Sequence, residues 1–241
     1  MVRPLTGGRG AGHGDRRELF PDRPATAMNV VGIAGWGVIG LLTGGGLRVV
    51  IPRSAVRPQA TRRLAPPALL EATTAVLFAA LAWRTGAKPE LFAYSWLAAI
   101  STPLAAIDWH TRHLPTKVIW PSGLVLIMLF GVAAAVNRDP YPLIRSVGGM
   151  LALLAFYGAI YILRPGQLGG GDLRLGGLLG LALGWISWTA VLTGTLLGWL
   201  AAAVAVIALR LVHRGELSCD VPLGPFLLLG TLATVLVSLQ V

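Results

Sequence analysis

Residues 172–212 read DLRLGGLLGLALGWISWTAVLTGTLLGWLAAAVAVIALRLV, and this apolar stretch decides the class of fold. Its charged residues, Asp172, Arg174 and Arg210, all lie near its two ends. A helix needs about 20 residues to cross a bilayer, so the stretch is too long for one crossing. Gly184 and Trp185 predict a tight turn inside it. The stretch therefore predicts two membrane helices, of which the first is short.

The same apolar character extends over most of the 241 residues. Hydrophobic residues form 55% of the chain and charged residues only 12%, whereas a soluble domain carries roughly 25% charge. Further apolar runs predict helices at 28–51, 67–84, 91–108, 117–136, 143–163 and 222–240. We therefore predict an all-α polytopic protein with seven to eight transmembrane helices, forming a single domain over 28–241 in the lipid bilayer.

The basic residues are divided unequally between alternate loops. One set of loops carries eleven of them: Arg48, Arg53, Arg57, Arg62, Arg63, Arg112, Lys117, Arg164, Arg174, Arg210 and Arg214. The other set carries four: Arg84, Lys88, Arg138 and Arg145. Cytoplasmic loops hold the Lys/Arg excess, so we expect the first set, with Asp108 and Asp172, on the cytoplasmic side. The net charge of +10 comes without a basic stripe or aromatic platform, so we expect no nucleic-acid partner.

Residues 1–27 differ from the rest because they are rich in Arg, Gly and Pro and lack apolar periodicity. Such a composition is typical of a disordered segment. As a basic tail before the first helix, this segment would lie outside the cytoplasm, against the charge rule. Translation starting at Met28 would remove the conflict. We therefore expect a disordered tail over 1–27, upstream of a true start at Met28.

Asp108 lies at the edge of an apolar run, in Ala-Ile-Asp-Trp-His-Thr-Arg-His-Leu-Pro. An ionisable residue at a bilayer boundary is costly and is a functional-site hypothesis by default. Pro103, Pro115 and Pro121 flank it, and proline interrupts regular helical hydrogen bonding. We therefore expect the backbone after Asp108 to leave the helix and meet water. The alternative is that Asp108 only caps a helix or pairs with Arg112.

Asp172 follows three consecutive glycines, and further glycines continue to Gly184. Glycine lets helices pack closely in lipid and lets the backbone approach a substrate. The alternative is that Asp172 is the N-terminal cap of a glycine-rich helix, with Arg174 as its partner. The segment lacks the Gly-Lys-Ser/Thr ending of a phosphate-binding loop.

Together the two aspartates suggest acid–base chemistry. If their helix ends pack side by side, both carboxyls cannot ionise freely, so the pair shares a proton. One carboxylate can then act as base on a water while the other protonates a scissile carbonyl oxygen. We expect no metal or cofactor: His110 and His113 have a possible metal spacing but no clear third ligand. Cys219 is the sole cysteine, which excludes a multi-cysteine zinc site.

Four ordered motifs of the chain resemble those of the type IV prepilin leader peptidases, membrane aspartic peptidases of the GxGD class. In the first, Asp108 is followed by Leu114-Pro115 and Pro121. The second, Gly-x-Gly-Asp-x-Lys-Leu, is met by Gly169, Gly171, Asp172, Arg174 and Leu175, with Arg in place of Lys. Residues 221–227 resemble the family's Pro-Phe-Gly-Pro-Phe stretch, and residues 40–53 resemble its glycine-containing first span and Arg-Leu-Pro loop.

The resemblance implies an endopeptidase that removes the leader of type IV prepilins or pseudopilins at the cytoplasmic face of the bacterial inner membrane. Asp108 and Asp172 would be its catalytic pair, and Pro115, Gly169, Gly171 and Arg174 its motif residues. Many family members carry paired Cys-x-x-Cys motifs after the first span, associated with N-methylation. Residues 52–66 contain no cysteine, so we expect a form without methyltransferase activity.

A transporter that uses the aspartates as an ion or proton relay is the main alternative. A relay favours acidic residues that face the bundle near mid-membrane. Both aspartates instead lie at span edges on one side, which favours proteolysis. A third possibility, a membrane scaffold without chemistry, would tolerate replacement of both aspartates.

Overall fold

The computed structural model describes residues 28–55, 67–112, 114–166, 168–212 and 222–239. Within these ranges the chain forms eight α-helices and no strand: α1 (Val30–Ala55), α2 (Pro67–Thr85), α3 (Glu90–Thr111), α4 (Thr116–Asn137), α5 (Tyr141–Leu163), α6 (Gly170–Ile186), α7 (Trp188–Val212) and α8 (Gly224–Ser238). The predicted all-α architecture is confirmed. The predicted tail 1–27, His113 and Cys219 lie outside the described residues.

Six helices, α1 to α5 and α7, are long and apolar enough to cross a membrane. Helix α8 is apolar but has 15 residues, and α6 has 17. The chain is therefore a multi-pass membrane protein. The prediction of seven to eight helices agrees with the eight found in the described ranges, of which six reach spanning length.

The long apolar stretch divides at Ser187, so the turn predicted at Gly184-Trp185 is wrong by about one helical turn. Ser187 has an extended backbone (φ −172°, ψ 165°), and its Oγ accepts a hydrogen bond from the Ala190 N–H at 2.9 Å. A serine oxygen in this position is a common helix N-cap. Gly184 stays inside α6, where an added Cβ would lie 2.8 Å from the carbonyl oxygen of Arg145 in α5. This glycine serves helix packing and not chain reversal.

Helices α3 and α6 form the interior of the bundle. Every residue of α6 from Leu175 to Trp185 is buried, and 72% of α3 is buried as well. By contrast, only 11% of the apolar window Val30–Leu47 in α1 is buried. A helix that is apolar all round belongs inside a bundle or a bilayer, and these two are covered by other helices. The two candidate aspartates are thus carried by the two innermost helices.

Glycines allow the closest helix pairs to form. Helix α5 packs most extensively on α6, followed by α1 on α2 and α7 on α8. At the first pair, a Cβ on Gly149 would lie 2.5 Å from the carbonyl oxygen of Gly180. At the second pair, a Cβ on Gly40 would lie 2.7 Å from the Phe78 side chain. Small residues at such crossings let helix backbones approach in an apolar solvent, where dispersion and not water release drives packing.

Candidate active site

Asp108 occupies the last turn of α3, and its side chain is only 4% exposed. The helix ends at Thr111 because Arg112 adopts the left-handed conformation (φ 53°, ψ 26°). Its N–H donates to the Asp108 carbonyl oxygen at 2.8 Å, which closes the helix end. The predicted departure from the helix after Asp108 is therefore present. Pro103 lies within α3, so it does not produce this ending.

The connection from α3 to α4 is short and ends at a proline. Pro115 has an extended backbone (φ −72°, ψ 107°) and stands at the N-cap position of α4. The motif proline Pro121 lies inside the first turns of that helix. Proline is tolerated at the N-cap position of Pro115 because the N–H it lacks has no helical partner there. Pro115 thus makes α4 begin directly beside the Asp108 end of α3.

Asp172 is the third residue of α6, and Gly169 is the N-cap with an extended backbone (φ −71°, ψ 142°). The alternative that Asp172 itself is the cap is therefore wrong. The Asp172 N–H donates to the Gly169 carbonyl oxygen at 3.0 Å, which starts the first turn. A carboxylate in the first turn lies at the positive end of the helix dipole. The consecutive glycines thus place Asp172 inside the first turn, partly buried.

The two carboxyl groups influence each other directly. Asp172 lies outside the six spans, in the first turn of α6, and its pKa is raised from 3.8 to about 6. Burial is the main cause, the negative charge of Asp108 adds to it, and a hydrogen bond from the Gly169 backbone opposes both. Within the described part of the chain, Oδ1 of Asp172 is buried and accepts no hydrogen bond. The negative charge of Asp108 therefore favours the protonated form of Asp172, which becomes the main form below about pH 6.

Two glycines make the meeting of α3, α6 and α8 possible. A Cβ on Gly171 would lie 2.7 Å from Leu114 Cβ, in the connection between α3 and α4. A Cβ on Gly224, the first residue of α8, would lie 2.5 Å from Oδ2 of Asp108 and 3.2 Å from Leu114 Cδ1. Only glycine leaves room at both positions without displacing a neighbour. Gly224 belongs to a motif found in the sequence, but its place against the carboxyl of Asp108 was not predicted.

Arg174 holds the first turn of α6 in place. Its Nη1 donates to the Gly170 carbonyl oxygen at 3.0 Å and to Thr116 Oγ1 at 3.2 Å. The second bond joins α6 to the first residue of α4. Arg174, predicted as a motif residue, thus connects the helix of one aspartate to the segment that follows the other.

No metal-binding cluster accompanies the pair in the described ranges: no group of three His, Cys, Asp or Glu side chains comes together there. His110 is exposed beside Trp109 at the end of α3. Its predicted companion His113 lies outside the described residues, and so does Cys219. The described site holds two carboxyls, Asp108 in the last turn of α3 and Asp172 in the first turn of α6.

The chain belongs to the type IV leader peptidase family, whose family model matches residues 91–211. The match covers Asp108 in α3 and Asp172 in α6. Among curated proteins, a prepilin leader peptidase/N-methyltransferase of Bacillus subtilis is 31% identical over 166 residues, 67% of this chain and 62% of the relative.

Two further relatives carry the same description. The protein of Pseudomonas putida is 31% identical over 66% of this chain and 54% of its own length. That of Burkholderia pseudomallei is 32% identical over 69% of this chain and 53% of its own length. The matches thus span between about half and three fifths of these relatives. No solved structure gives a significant match.

Proposed function

We propose that this protein is a membrane aspartic endopeptidase that removes the leader from type IV prepilins or pseudopilins. One observation carries the proposal: two carboxyls 64 residues apart in the chain meet as a coupled pair at the ends of the two innermost helices. The family and the descriptions of its relatives support the substrate class.

The proposed reaction needs only the two carboxyls and a water molecule. The ionised member removes a proton from the water, whose oxygen bonds to the scissile carbonyl carbon. The protonated member gives its proton to the carbonyl oxygen, which avoids a free oxyanion. Collapse of the tetrahedral intermediate breaks the C–N bond, and the departing amine takes up the proton that the base had received. As the C–N bond breaks, one hydroxyl of the intermediate returns its proton to the carboxylate that had acted as acid, so the products are a carboxylic acid and an amine and the pair is back in its starting state.

The proposed location is the cytoplasmic face of the bacterial inner membrane. The loop assignment predicted from the sequence, with eleven basic residues in the set that includes Asp108 and Asp172 against four in the other set, supports this orientation. We also propose that the new amino terminus leaves without methylation. The absence of cysteine from residues 52–66 supports this, although the curated relatives are described as methyltransferases as well.

Co-expression of the protein with a candidate prepilin tests the proposal, with leader removal followed by the mass of the pilin. Asp108→Asn and Asp172→Asn should each lower processing by roughly 10²–10⁴-fold, the usual effect of losing a general acid or base. Asp139→Asn is the matched control, because Asp139 is an exposed aspartate at the opposite end, between α4 and α5. It should process normally. Undiminished processing by either active-site variant would exclude the aspartic mechanism. A methylated product would exclude the proposal that the new amino terminus leaves without methylation.

A further inference from the structure

The side chain of Leu114 lies among the helix ends that carry the two aspartates. It belongs to the connection between α3 and α4, yet it is only 9% exposed. Connecting segments usually run over the surface of a protein. The proposed reaction gives this leucine no task, since an alkyl group neither takes up nor gives a proton. Its burial beside the aspartates therefore requires a separate explanation.

On one side, Leu114 packs on the residue that precedes Asp172. A Cβ on Gly171 would lie 2.7 Å from Leu114 Cβ, 3.3 Å from its carbonyl oxygen and 3.5 Å from its Cα. No side chain of α6 separates the two segments at this point. The first turn of α6, which carries Asp172, therefore rests directly on Leu114.

On the other side, Leu114 reaches the surroundings of the Asp108 carboxyl. The position of a Cβ on Gly224 lies 2.5 Å from Asp108 Oδ2 and 3.2 Å from Leu114 Cδ1. The carboxyl oxygen and the leucine methyl group thus converge on one point at the start of α8. A methyl group offers the carboxyl no hydrogen bond, but it occupies space that water would otherwise fill. Leu114 therefore fills the space between Gly171 and Gly224.

Neighbouring residues hold Leu114 in this place. Pro115 restricts the backbone of the residue that precedes it. Arg174 donates to Thr116 Oγ1 at 3.2 Å, which attaches the segment after Leu114 to the first turn of α6. Because the backbone is fixed in this way, the leucine cannot leave the site without breaking contacts on several helices.

We propose that Leu114 is a positioning residue of the catalytic pair: by filling the space between the starts of α6 and α8, it sets the separation of the Asp108 and Asp172 carboxyls. The inference rests on the proposed peptidase function and adds to it a residue that acts only through the aspartates. Without the leucine side chain, the first turn of α6 would shift or water would enter beside the carboxyls. Either change would impair proton transfer by the pair.

Kinetics of the purified protein with a prepilin substrate test this role. Leu114→Ala should lower kcat about tenfold or more, because a small displacement of reacting groups is costly. It should change KM by less than about twofold, since transition-state and not ground-state interactions are lost. Leu114→Met keeps the side-chain volume and should restore kcat to within about threefold of the wild type. Leu126→Ala is the matched control, because it removes the same atoms from a fully buried site about 15 Å further along α4. Equal kcat values for the two alanine variants would overturn the proposal.

The pH dependence of kcat distinguishes positioning of the pair from a general loss of structure. Burial is the main cause of the raised pKa of Asp172. The ionisable groups around Asp172 in the described part of the chain are Asp108 of α3, Tyr157 of α5 and Arg174 of α6, with the exposed Lys117 on α4 and none on α8. All of them remain in the leucine variants.

Admission of water in Leu114→Ala should lower the pKa of Asp172 from about 6 toward 3.8. Activity that needs protonated Asp172 should then be lost at lower pH than in the wild type, whereas Leu126→Ala should keep the wild-type profile. Leu114→Val, which lacks one carbon, should shift the profile less in the same direction and serves if the alanine variant does not fold. Unchanged profiles in the Leu114 variants would overturn the proposal. A wild-type protein that cleaves no precursor would instead refute the proposed function.

Discussion

At the scale of single residues, the proposed catalytic pair depends on two positions that carry no side chain, Gly171 and Gly224. Asp108 is nearly buried, yet its carboxyl has room because Gly224 carries no side chain at the point where α8 begins. Gly171 has the same role against Leu114, so α6 can bring Asp172 toward Asp108. A methyl group at either position would occupy space now filled by another part of the site. The positions of Asp108 and Asp172 therefore depend on two glycines that take no part in the proposed reaction.

Gly224→Ala should lower proteolysis about tenfold or more while leaving the protein in the membrane. The new Cβ would lie 2.5 Å from Oδ2 of Asp108, so either the carboxyl or α8 must move. A displacement of about 1 Å can cost roughly 10²-fold in rate. Gly46→Ala is the control, because a Cβ there has no neighbour within 4 Å. The measurement is the rate of leader removal at equal amounts of purified protein, and equal rates for both variants would contradict this account.

The aspartates could be found in the sequence, but the contact made by Gly224 could not. Asp108 and Asp172 stand out because a charge beside apolar runs is rare and costly. The position of Gly224 against Asp108 depends on how α8 is placed along α3, and that placement comes from packing among several helices. Local sequence carries no signal for it. Arg174 is a second example. Its charge is visible in the sequence, but its hydrogen bond to Thr116 joins α6 to α4 and cannot be predicted from either segment alone.

At the scale of helices, α6 is fixed at both ends by arginine. Arg174 binds the first turn, and Arg145 of α5 donates from its guanidinium to the Gly184, Trp185 and Ile186 carbonyl oxygens at the last turn. These carbonyls have no partners inside the helix, and a cation at this end also suits the helix dipole. The end of α6 also shows why the turn predicted at Gly184-Trp185 differs from the observed boundary at Ser187. Gly184 predicts a turn, whereas the residue that caps α7 is Ser187, three residues later.

Arg145→Gln should destabilise the protein by about 2–4 kcal/mol, because charged hydrogen bonds to several carbonyls are lost at once. For a chain of this size, that corresponds to a fall in Tm of roughly 5 °C or more. Arg164→Gln, an exposed arginine at the other end of α5, should change stability by less than about 0.5 kcal/mol. Thermal unfolding in detergent measures both. A fall in Tm of the same size for both variants would show that Arg145 does not secure α6.

At the scale of the whole molecule, contacts at the two ends show that the helices alternate in direction. At one end the start of α6 meets the segment between α3 and α4, and the start of α8 meets the end of α3. At the other end Arg84, in the last turn of α2, donates to the carbonyl oxygens of Leu236 and Val237 near the end of α8. The order of apolar runs was enough to predict this alternation. The burial of α3 was not, since α2 has nearly the same mean hydropathy as α3 and yet only 28% of it is buried.

The alternation and the charge asymmetry together predict which end faces the cytoplasm, and α4 offers the simplest test. Lys117 and Arg138 are both exposed, at opposite ends of this helix and about 32 Å apart along its axis, slightly more than a bilayer core. In a Cys219→Ser background, Lys117→Cys and Arg138→Cys each provide a single thiol for a membrane-impermeant maleimide. In spheroplasts with a sealed inner membrane, the maleimide should label only the Arg138→Cys variant. In permeabilised cells it should label both variants. The reverse result would place Asp108 and Asp172 outside the cytoplasm, where they could act only on segments already moved across the membrane.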